Sequence, residues 1–234
     1  MFRALLVLAF WGIAAVLVGL IGITWALLSR KIDLLYRMGV RVGWIGVRLV
    51  GVNVQVVGLE KLDWHRPYIF MCNHASNLDP PIVIPVMPRR TSVLVKKELF
   101  RVPILGWGMR LASLVPVDRR NREAAIASLR SAAGVLRSGV NMTIWPEGTR
   151  SSDGRLLPFK KGPFYLAMES GVPIVPITLA GTHQIWRKGE FAIHPGTATV
   201  IFHEPLDPAA YGSQEQLMNA VRERIRSGLP QKYQ

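Results

Sequence analysis

The chain opens with a long apolar run in which residues 4–28 carry no charged side chain. As an α-helix this run would extend over roughly 37 Å, which exceeds the ~30 Å hydrocarbon core of a bilayer. A secretory signal peptide has a shorter apolar stretch, of about 7–15 residues, and a small-x-small cleavage site. Residues 25–29, Trp-Ala-Leu-Leu-Ser, fit such a site poorly. The pattern therefore predicts a helix that inserts into a membrane.

Basic residues follow this run and scarcely precede it, since Arg3 alone stands before it. The basic residues after it are Arg30, Lys31, Arg37, Arg41 and Arg48. Because positively charged segments near a membrane helix stay in the cytoplasm, we expect the bulk of the protein on the cytoplasmic face.

Residues 32–50 can form an amphipathic helix whose arginines share one face with Trp44. Such a helix suits the lipid headgroup region, and an ordinary domain helix with a solvated basic face has the same pattern. A single span followed by an interfacial helix and a re-entrant hairpin both fit residues 1–52.

From residue 53 onward, short apolar runs alternate with helical patterns. Strands are predicted at residues 67–72, 91–95, 114–117, 141–145, 173–179 and 197–202. Helices are predicted at residues 122–138, 164–169 and 214–226, with Asn121 and Ser213 as N-caps and Gly139 after a C-terminus. This alternation predicts an α/β fold with a mostly parallel sheet flanked by helices, preceded by an N-terminal hydrophobic membrane helix or helical hairpin. We expect two regions, a membrane-anchoring region at 1–52 and one domain at 53–234.

Composition adds a strong positive charge, because 29 Lys and Arg face 15 Asp and Glu and leave a net charge of +14. Half of the residues are hydrophobic, which excludes a disordered chain. The single cysteine, Cys72, excludes a disulfide-stapled domain. The charge calls for an anionic partner, which could be nucleic acid, a membrane surface or a phosphorylated substrate. The tryptophans are scattered rather than arranged for base stacking, so we expect no nucleic acid.

Polar clusters follow four of the predicted strands, at residues 73–79, 96–98, 118–120 and 147–150. In parallel α/β sheets, chemistry gathers at the carboxyl ends of the strands. His74 can serve as a general base near neutral pH, and Asp79 could turn back to orient its imidazole. A histidine that only closes a loop is the alternative.

Residues 145–151, Trp-Pro-Glu-Gly-Thr-Arg-Ser, suit the binding of an oxyanion such as phosphate. Gly148 permits close backbone approach, and Arg150 offers a bidentate fork. Glu147 could orient Arg150 or hold an acceptor hydroxyl, and a surface turn with a salt bridge is the alternative. The sequence shows no ligand spacing for a metal.

These segments together resemble the glycerolipid acyltransferase family, over about residues 65–185. The N-H-x-S-x-x-D block is residues 73–79, and the second block begins at residues 96–99 and ends at residues 118–119. The P-E-G-T-R-S block is residues 146–151, and V-P-I-V-P-I is residues 172–177. The family usually has glycine six residues before the arginine of the second block, where this chain has Ser113.

The resemblance implies a membrane-associated acyltransferase of phospholipid biosynthesis. His74, oriented by Asp79, would deprotonate the free hydroxyl of 1-acyl-sn-glycerol-3-phosphate, and the product would be phosphatidic acid. The acyl donor would be a thioester of coenzyme A or acyl carrier protein, and no metal or other cofactor is expected. The residues implied in binding the acceptor are Lys96, Arg119, Glu147, Gly148, Thr149 and Arg150, with residues 172–177 lining the acyl or acceptor pocket.

Two alternatives remain open on the sequence alone. The same chemistry could act on another lysolipid, such as a lyso-ornithine lipid, or on glycerol phosphate. A protein of another class, a basic membrane-anchored lipid-binding protein without catalysis, would explain the apolar run and the charge. It would not explain why His74, Asp79, Glu147 and Arg150 all follow strands.

Overall fold

The computed structural model describes residues 1–118 and 121–234. Within these residues the chain forms eight α-helices and one seven-stranded sheet. The helices are α1 (Phe2–Ser29), α2 (Asp33–Leu49), α3 (Asp79–Val83), α4 (Leu105–Leu111), α5 (Arg122–Arg137), α6 (Gly162–Ser170), α7 (Thr182–Ile185) and α8 (Gln214–Ser227). The strands are β1 (Val52–Val57), β2 (Ile69–Cys72), β3 (Thr91–Lys96), β4 (Val115–Val117), β5 (Asn141–Ile144), β6 (Ile174–Ala180) and β7 (Gly196–Phe202).

The strands lie in the order β1-β7-β6-β2-β5-β3-β4. Neighbouring strands are parallel except for β6 and β7, which pair antiparallel. Successive side chains of the central strand β2 enter opposite cores: Phe70 and Cys72 pack in one, and Ile69 and Met71 in the other. Both faces of the sheet are therefore buried, as in other parallel sheets covered by helices. The predicted α/β fold with a mostly parallel sheet is confirmed.

Local signals in the sequence place most elements correctly. The Asn121 side chain accepts a 3.0 Å hydrogen bond from the Ala124 N–H at the start of α5, and the Ser213 hydroxyl accepts one of 3.2 Å from Gln216 at the start of α8. Strand β1 is absent from the sequence prediction, although its alternate valines carry a period-two pattern. It pairs with β7, more than a hundred residues later, so no nearby turn announces it.

Helices α1 and α2 form an antiparallel hairpin that packs on the domain. The Trp11 indole N–H donates a 3.2 Å hydrogen bond to the Val42 carbonyl, and Gly22 lies against Leu35. Ala4 and Val7 are fully buried in the same core cluster as the sheet. The opposite side of α1 is apolar and exposed, and α1 is long and apolar enough to cross a membrane. This surface associates the protein with membranes.

Candidate active site

The polar clusters after β2 and β5 meet because these two strands are neighbours. Strands β2, β5 and β3 are adjacent and parallel, so their carboxyl ends lie at one edge of the sheet. The loop after β2 carries His74, the loop after β5 carries Glu147 and Arg150, and Lys96 ends β3. The sheet therefore brings together residues that are up to 76 positions apart, from 74 to 150.

His74 and Asp79 are in direct contact. The imidazole Nδ1 lies 2.7 Å from the Asp79 Oδ2, and this oxygen also accepts 2.8 Å hydrogen bonds from the N–H groups of Ala75 and Ser76. Asp79 is fully buried in the first turn of α3, whereas the His74 side chain is 14% exposed. With Nδ1 held by the carboxylate, Nε2 is the nitrogen left to exchange a proton with a substrate, and it makes no hydrogen bond to any residue that the structure describes.

The backbone of His74 is held from both sides. Its N–H donates a 2.6 Å hydrogen bond to the Glu147 Oε1, and its carbonyl accepts one of 2.8 Å from the Ser151 N–H. The second oxygen of Glu147, Oε2, accepts a 2.8 Å hydrogen bond from the Leu157 N–H. Glu147 is only 2% exposed, and both of its oxygens bind backbone groups instead of Arg150. The structure thus places this carboxylate beneath the site, where it fixes the main chain of His74.

Burial makes the carboxyl group of Glu147 a weaker acid than an exposed glutamate. Desolvation raises its pKa to about 7, and the nearby Asp79 carboxylate acts in the same direction. The two backbone hydrogen bonds and the positive charge of Arg222 lower the pKa and oppose this effect.

Trp145 covers the imidazole of His74. The two ring centroids are 5.1 Å apart with the planes tilted by 36°, and Trp145 is buried. An indole ring packed against an imidazole limits the positions that the imidazole can adopt. The sequence predicts Trp145 at the end of a strand, and no local pattern indicates its contact with His74.

Arg150 lies at the rim of the site. Its guanidinium donates a hydrogen bond to the Asn77 side-chain oxygen, which ties the loop after β5 to the loop after β2. The Lys188 ammonium lies 3.0 Å from the Arg150 carbonyl and 3.4 Å from the Thr149 hydroxyl. Gly148 has φ +71°, a left-handed conformation that favours glycine, in the turn before them. The rim therefore presents two cations and a hydroxyl suited to an anionic group.

The other predicted binding residues fall into three situations. Lys96 is exposed, and its ammonium lies 3.8 Å from the Glu98 carboxylate. The neighbouring Lys97 pairs with Asp118 at 2.5 Å. Arg119 lies outside the described residues.

Residues 172–177, expected to line a pocket, are mostly interior positions of the sheet, since Ile174, Val175 and Ile177 are fully buried. Among the described residues, no group of three or more His, Cys, Asp or Glu is placed to hold a metal.

Two residues of this region have no local signal in the sequence. Lys188 lies three residues after α7, and its partners Thr149 and Arg150 are 39 and 38 positions away in sequence, so no local pattern indicates them. Arg222 lies on α8, and its partners are carbonyls 65 and 66 residues away, so local sequence gives no sign of its contacts.

A family model described as "Acyltransferase" matches residues 53–180 of this chain. The 1-acyl-sn-glycerol-3-phosphate acyltransferase of Limnanthes alba is 38% identical over 198 residues, which cover 84% of this chain and 68% of that protein. The protein of the same name from Saccharomyces cerevisiae is 40% identical over 137 residues, which cover 57% of this chain and 45% of that one.

A solved structure is similar over nearly the whole chain. The crystal structure of the 1-acyl-sn-glycerophosphate (LPA) acyltransferase from Thermotoga maritima superimposes with a TM-score of 0.82 at 31% sequence identity. The match covers 96% of this chain and 93% of that chain, so it includes the N-terminal helices as well as the sheet.

Proposed function

Because the chain belongs to the acyltransferase family, we propose that it transfers an acyl chain from a thioester to the free hydroxyl of 1-acyl-sn-glycerol-3-phosphate, which yields phosphatidic acid. The named relatives and the similar crystal structure support this acceptor. The observation that carries the proposal is the 2.7 Å contact between His74 and Asp79 at the carboxyl edge of the sheet.

His74 acts as the general base in this proposal. Its Nε2 takes the proton of the acceptor hydroxyl as the oxygen forms a bond to the thioester carbonyl carbon. The tetrahedral oxyanion collapses, the carbon–sulfur bond breaks, and the thiolate leaves and recovers the proton from the imidazolium. Asp79 holds the required tautomer and stabilises the imidazolium while it exists. The new ester and a free thiol are the products.

Arg150 binds the phosphate of the acceptor, with Thr149 and the turn at Gly148 beside it. Arginine suits this task because its planar fork matches two phosphate oxygens. Lys96 and Arg119 are further candidates for the same anion on the basis of the family resemblance. The donor is a thioester of coenzyme A or acyl carrier protein, and both are anionic, which suits a chain with a net charge of +14.

The hairpin of α1 and α2 anchors the domain at residues 53–234 to the membrane that contains the acceptor. The N-terminus lies beside the domain, where Met1 and Arg3 line a cleft with Leu49 and Ile193. If α1 crossed the bilayer, α2 would have to cross back, and α2 carries Asp33 and exposed arginines. Burying these charges in hydrocarbon is costly, which favours a re-entrant hairpin that enters one leaflet. The basic face of α2 and the positive-inside rule favour the cytoplasmic leaflet.

The test is acyl transfer from a radiolabelled oleoyl thioester of coenzyme A to 1-acyl-sn-glycerol-3-phosphate by the purified full-length protein in lipid vesicles. His74→Ala runs beside it, together with His65→Ala, since His65 is an exposed histidine away from the site. We expect phosphatidic acid from the native protein and from His65→Ala and none from His74→Ala. Equal rates in all three would overturn the role of His74.

The choice of donor and acceptor needs separate arms of the same assay. Oleoyl acyl carrier protein replaces the coenzyme A thioester in one arm, and glycerol phosphate or a lyso-ornithine lipid replaces the acceptor in another. Transfer only to glycerol phosphate or only to the lyso-ornithine lipid would identify that molecule as the acceptor and would leave the role of His74 unchanged. Absence of transfer in every arm would favour a lipid-binding protein without catalysis.

A further inference from the structure

Arg222 reaches from the last helix to the loop that supports the active site. Its guanidinium donates hydrogen bonds of 2.7 Å to the Leu157 carbonyl and 3.1 Å to the Leu156 carbonyl. The guanidinium also lies 5.4 Å from the ring centroid of Phe159. Two bonds to adjacent carbonyls fix the direction of the peptide groups at residues 156–157 as well as their position.

The helix that carries Arg222 is rigidly seated. Leu217, Val221 and Ile225 are fully buried on one face of α8 and pack in the core beneath the sheet. Their spacing of four residues places them on a single stripe. Arg222 follows Val221 directly, so the base of its side chain is held by the packing of the helix.

The loop passes this constraint on to His74. Leu157, whose carbonyl is held by Arg222, donates its N–H to the Glu147 Oε2 at 2.8 Å. The other oxygen of the same carboxylate accepts the His74 N–H at 2.6 Å. The chain of contacts is therefore continuous from α8 through the loop and Glu147 to the backbone of His74.

We propose that Arg222 is a positioning residue for His74 and acts through the peptide groups at 156–157 and the Glu147 carboxylate. The inference rests on the proposed function, because it takes His74 as the base. Arg222 lies beyond residues 53–180, the region that the family model matches. Its guanidinium binds main-chain carbonyls instead of the groups at the rim, so it influences the rate of the chemical step and leaves the affinity for the acceptor largely intact. A misplacement of a base by about 1 Å can cost roughly 100-fold in rate.

Charge provides a second, independent link between Arg222 and Glu147. Among the described residues, the charged side chains that act on Glu147 are Arg222 on α8, which lowers its pKa, and Asp79 on α3, which raises it. A carboxylate accepts a hydrogen bond from each of the two N–H groups. In a protonated carboxyl group one oxygen carries a hydrogen and acts as a donor instead. Loss of the arginine would raise the pKa of Glu147. As the pH falls, the carboxylate would then take up its proton at a higher pH and lose one of its two backbone hydrogen bonds there.

The experiment compares Arg222→Met, Arg222→Lys and Arg226→Met in the full-length protein. Methionine retains much of the length of arginine and donates no hydrogen bond. Arg226 is the matched control, because it lies one turn further along α8 and forms a surface ion pair of 3.0 Å with Glu223. The kcat and the KM for 1-acyl-sn-glycerol-3-phosphate are measured from pH 5.5 to 9 in vesicles, at a temperature well below the unfolding transition of every variant.

For Arg222→Met we expect kcat to fall by about 10- to 100-fold with KM changed by less than about threefold. Arg222→Lys should recover part of the kcat, because an ammonium retains the charge and can donate to one carbonyl. The acidic side of the pH profile should move to higher pH in Arg222→Met. Arg226→Met should match the native protein.

Several outcomes would overturn the inference. A raised KM with unchanged kcat would mean that residues 156–157 contact the substrate. An equal loss in Arg226→Met would indicate a general weakening of α8, and native kinetics in Arg222→Met would mean that the link has no effect on catalysis. His74→Ala separates this result from the proposed function. Full activity in His74→Ala would reject the base itself, whereas its inactivity beside a native-like Arg222→Met would reject the role of Arg222 alone.

Discussion

The backbone N–H of His74 donates a 2.6 Å hydrogen bond to the carboxylate of Glu147, 73 residues further along the chain. The contact joins two motifs that each look like an independent site in the sequence. It gives Glu147 a position below the imidazole instead of at the rim beside Arg150. The histidine is thus held at three points, by Asp79 at its ring and by Glu147 and Ser151 at its main chain.

Asp79→Asn should reduce kcat by about 100- to 10,000-fold. The neutral amide retains an acceptor for the N–H groups of Ala75 and Ser76 but stabilises the imidazolium less and permits the wrong tautomer of His74. The measurement is kcat with the acceptor at saturation, with circular dichroism to verify the fold.

Asp207→Asn is a suitable control for this substitution. Asp207 caps a short turn through a 3.0 Å hydrogen bond from the Ala209 N–H, and asparagine caps equally well. Its activity should equal that of the native protein. Native activity in Asp79→Asn would show that the carboxylate does not assist the base.

The free energy of unfolding should depend on pH through Glu147. Because burial raises the pKa of Glu147 from its usual value of 4.5 to about 7, the folded state binds a proton in this interval that the unfolded state has released. The contribution to stability is therefore present below pH 4.5 and is lost as the pH rises to about 7, by roughly 3 kcal/mol in total. Denaturant unfolding between pH 4 and 8 measures this slope.

Glu147→Gln should remove this part of the pH dependence, since glutamine does not titrate. The difference between the native protein and the variant cancels the contributions of the other carboxylates. If the two slopes coincide between pH 4.5 and 7, the buried carboxyl group does not take up the proton. The variant should also lose activity, because its amide nitrogen cannot accept one of the two backbone N–H groups.

Ser113→Gly should stabilise the protein by about 1 kcal/mol. Ser113 has φ +61°, in the left-handed region that costs a residue with a Cβ roughly this amount. Its carbonyl accepts a 2.6 Å hydrogen bond from Ser92, which a change of side chain leaves in place. Thermal unfolding is the measurement, and Ser113→Ala, which retains the Cβ, should show no gain. Equal midpoints for the glycine and alanine variants would mean that the backbone is not strained there.

A re-entrant hairpin predicts that the N-terminus and the domain lie on one side of the membrane. Arg3→Cys and Gln231→Cys both place a thiol on exposed residues, and the native Cys72 is buried, so the unmodified chain gives the background. A membrane-impermeant maleimide should label both variants from the same side of sealed vesicles. Labelling of Arg3→Cys only after the vesicles are opened, with Gln231→Cys labelled before, would show that α1 crosses the bilayer alone and would overturn the hairpin of α1 and α2.

The sequence predicts the His74 and Asp79 contact because it is local. Five residues separate the two side chains, and the turn before α3 is short enough to bring them together. The same holds for the capping of α5 and α8 by Asn121 and Ser213. The family blocks likewise indicate the acyltransferase fold, which the comparisons confirm.

The contacts that hold the main chain of His74 and the loop at 156–157 in place are not local in sequence. Neither the contact of Glu147 with His74 nor that of Arg222 with the loop at 156–157 has a local pattern, since each pairs a side chain with main-chain groups far away in sequence. A carboxylate in the motif P-E-G-T-R-S could bind a substrate, an arginine or the backbone, and residue types alone do not distinguish these partners.

The sequence by itself predicted most of the elements, the contact between His74 and Asp79 and the family, because caps, periodicity and short motifs act over a few residues. Only the tertiary structure decided that β2 and β5 are neighbours, and hence that Glu147 lies under His74 and that α1 folds back along α2. The physical reason is that strand order and helix packing follow from burying apolar faces of the whole chain at once. That burial also decides which polar groups come together and form hydrogen bonds with one another.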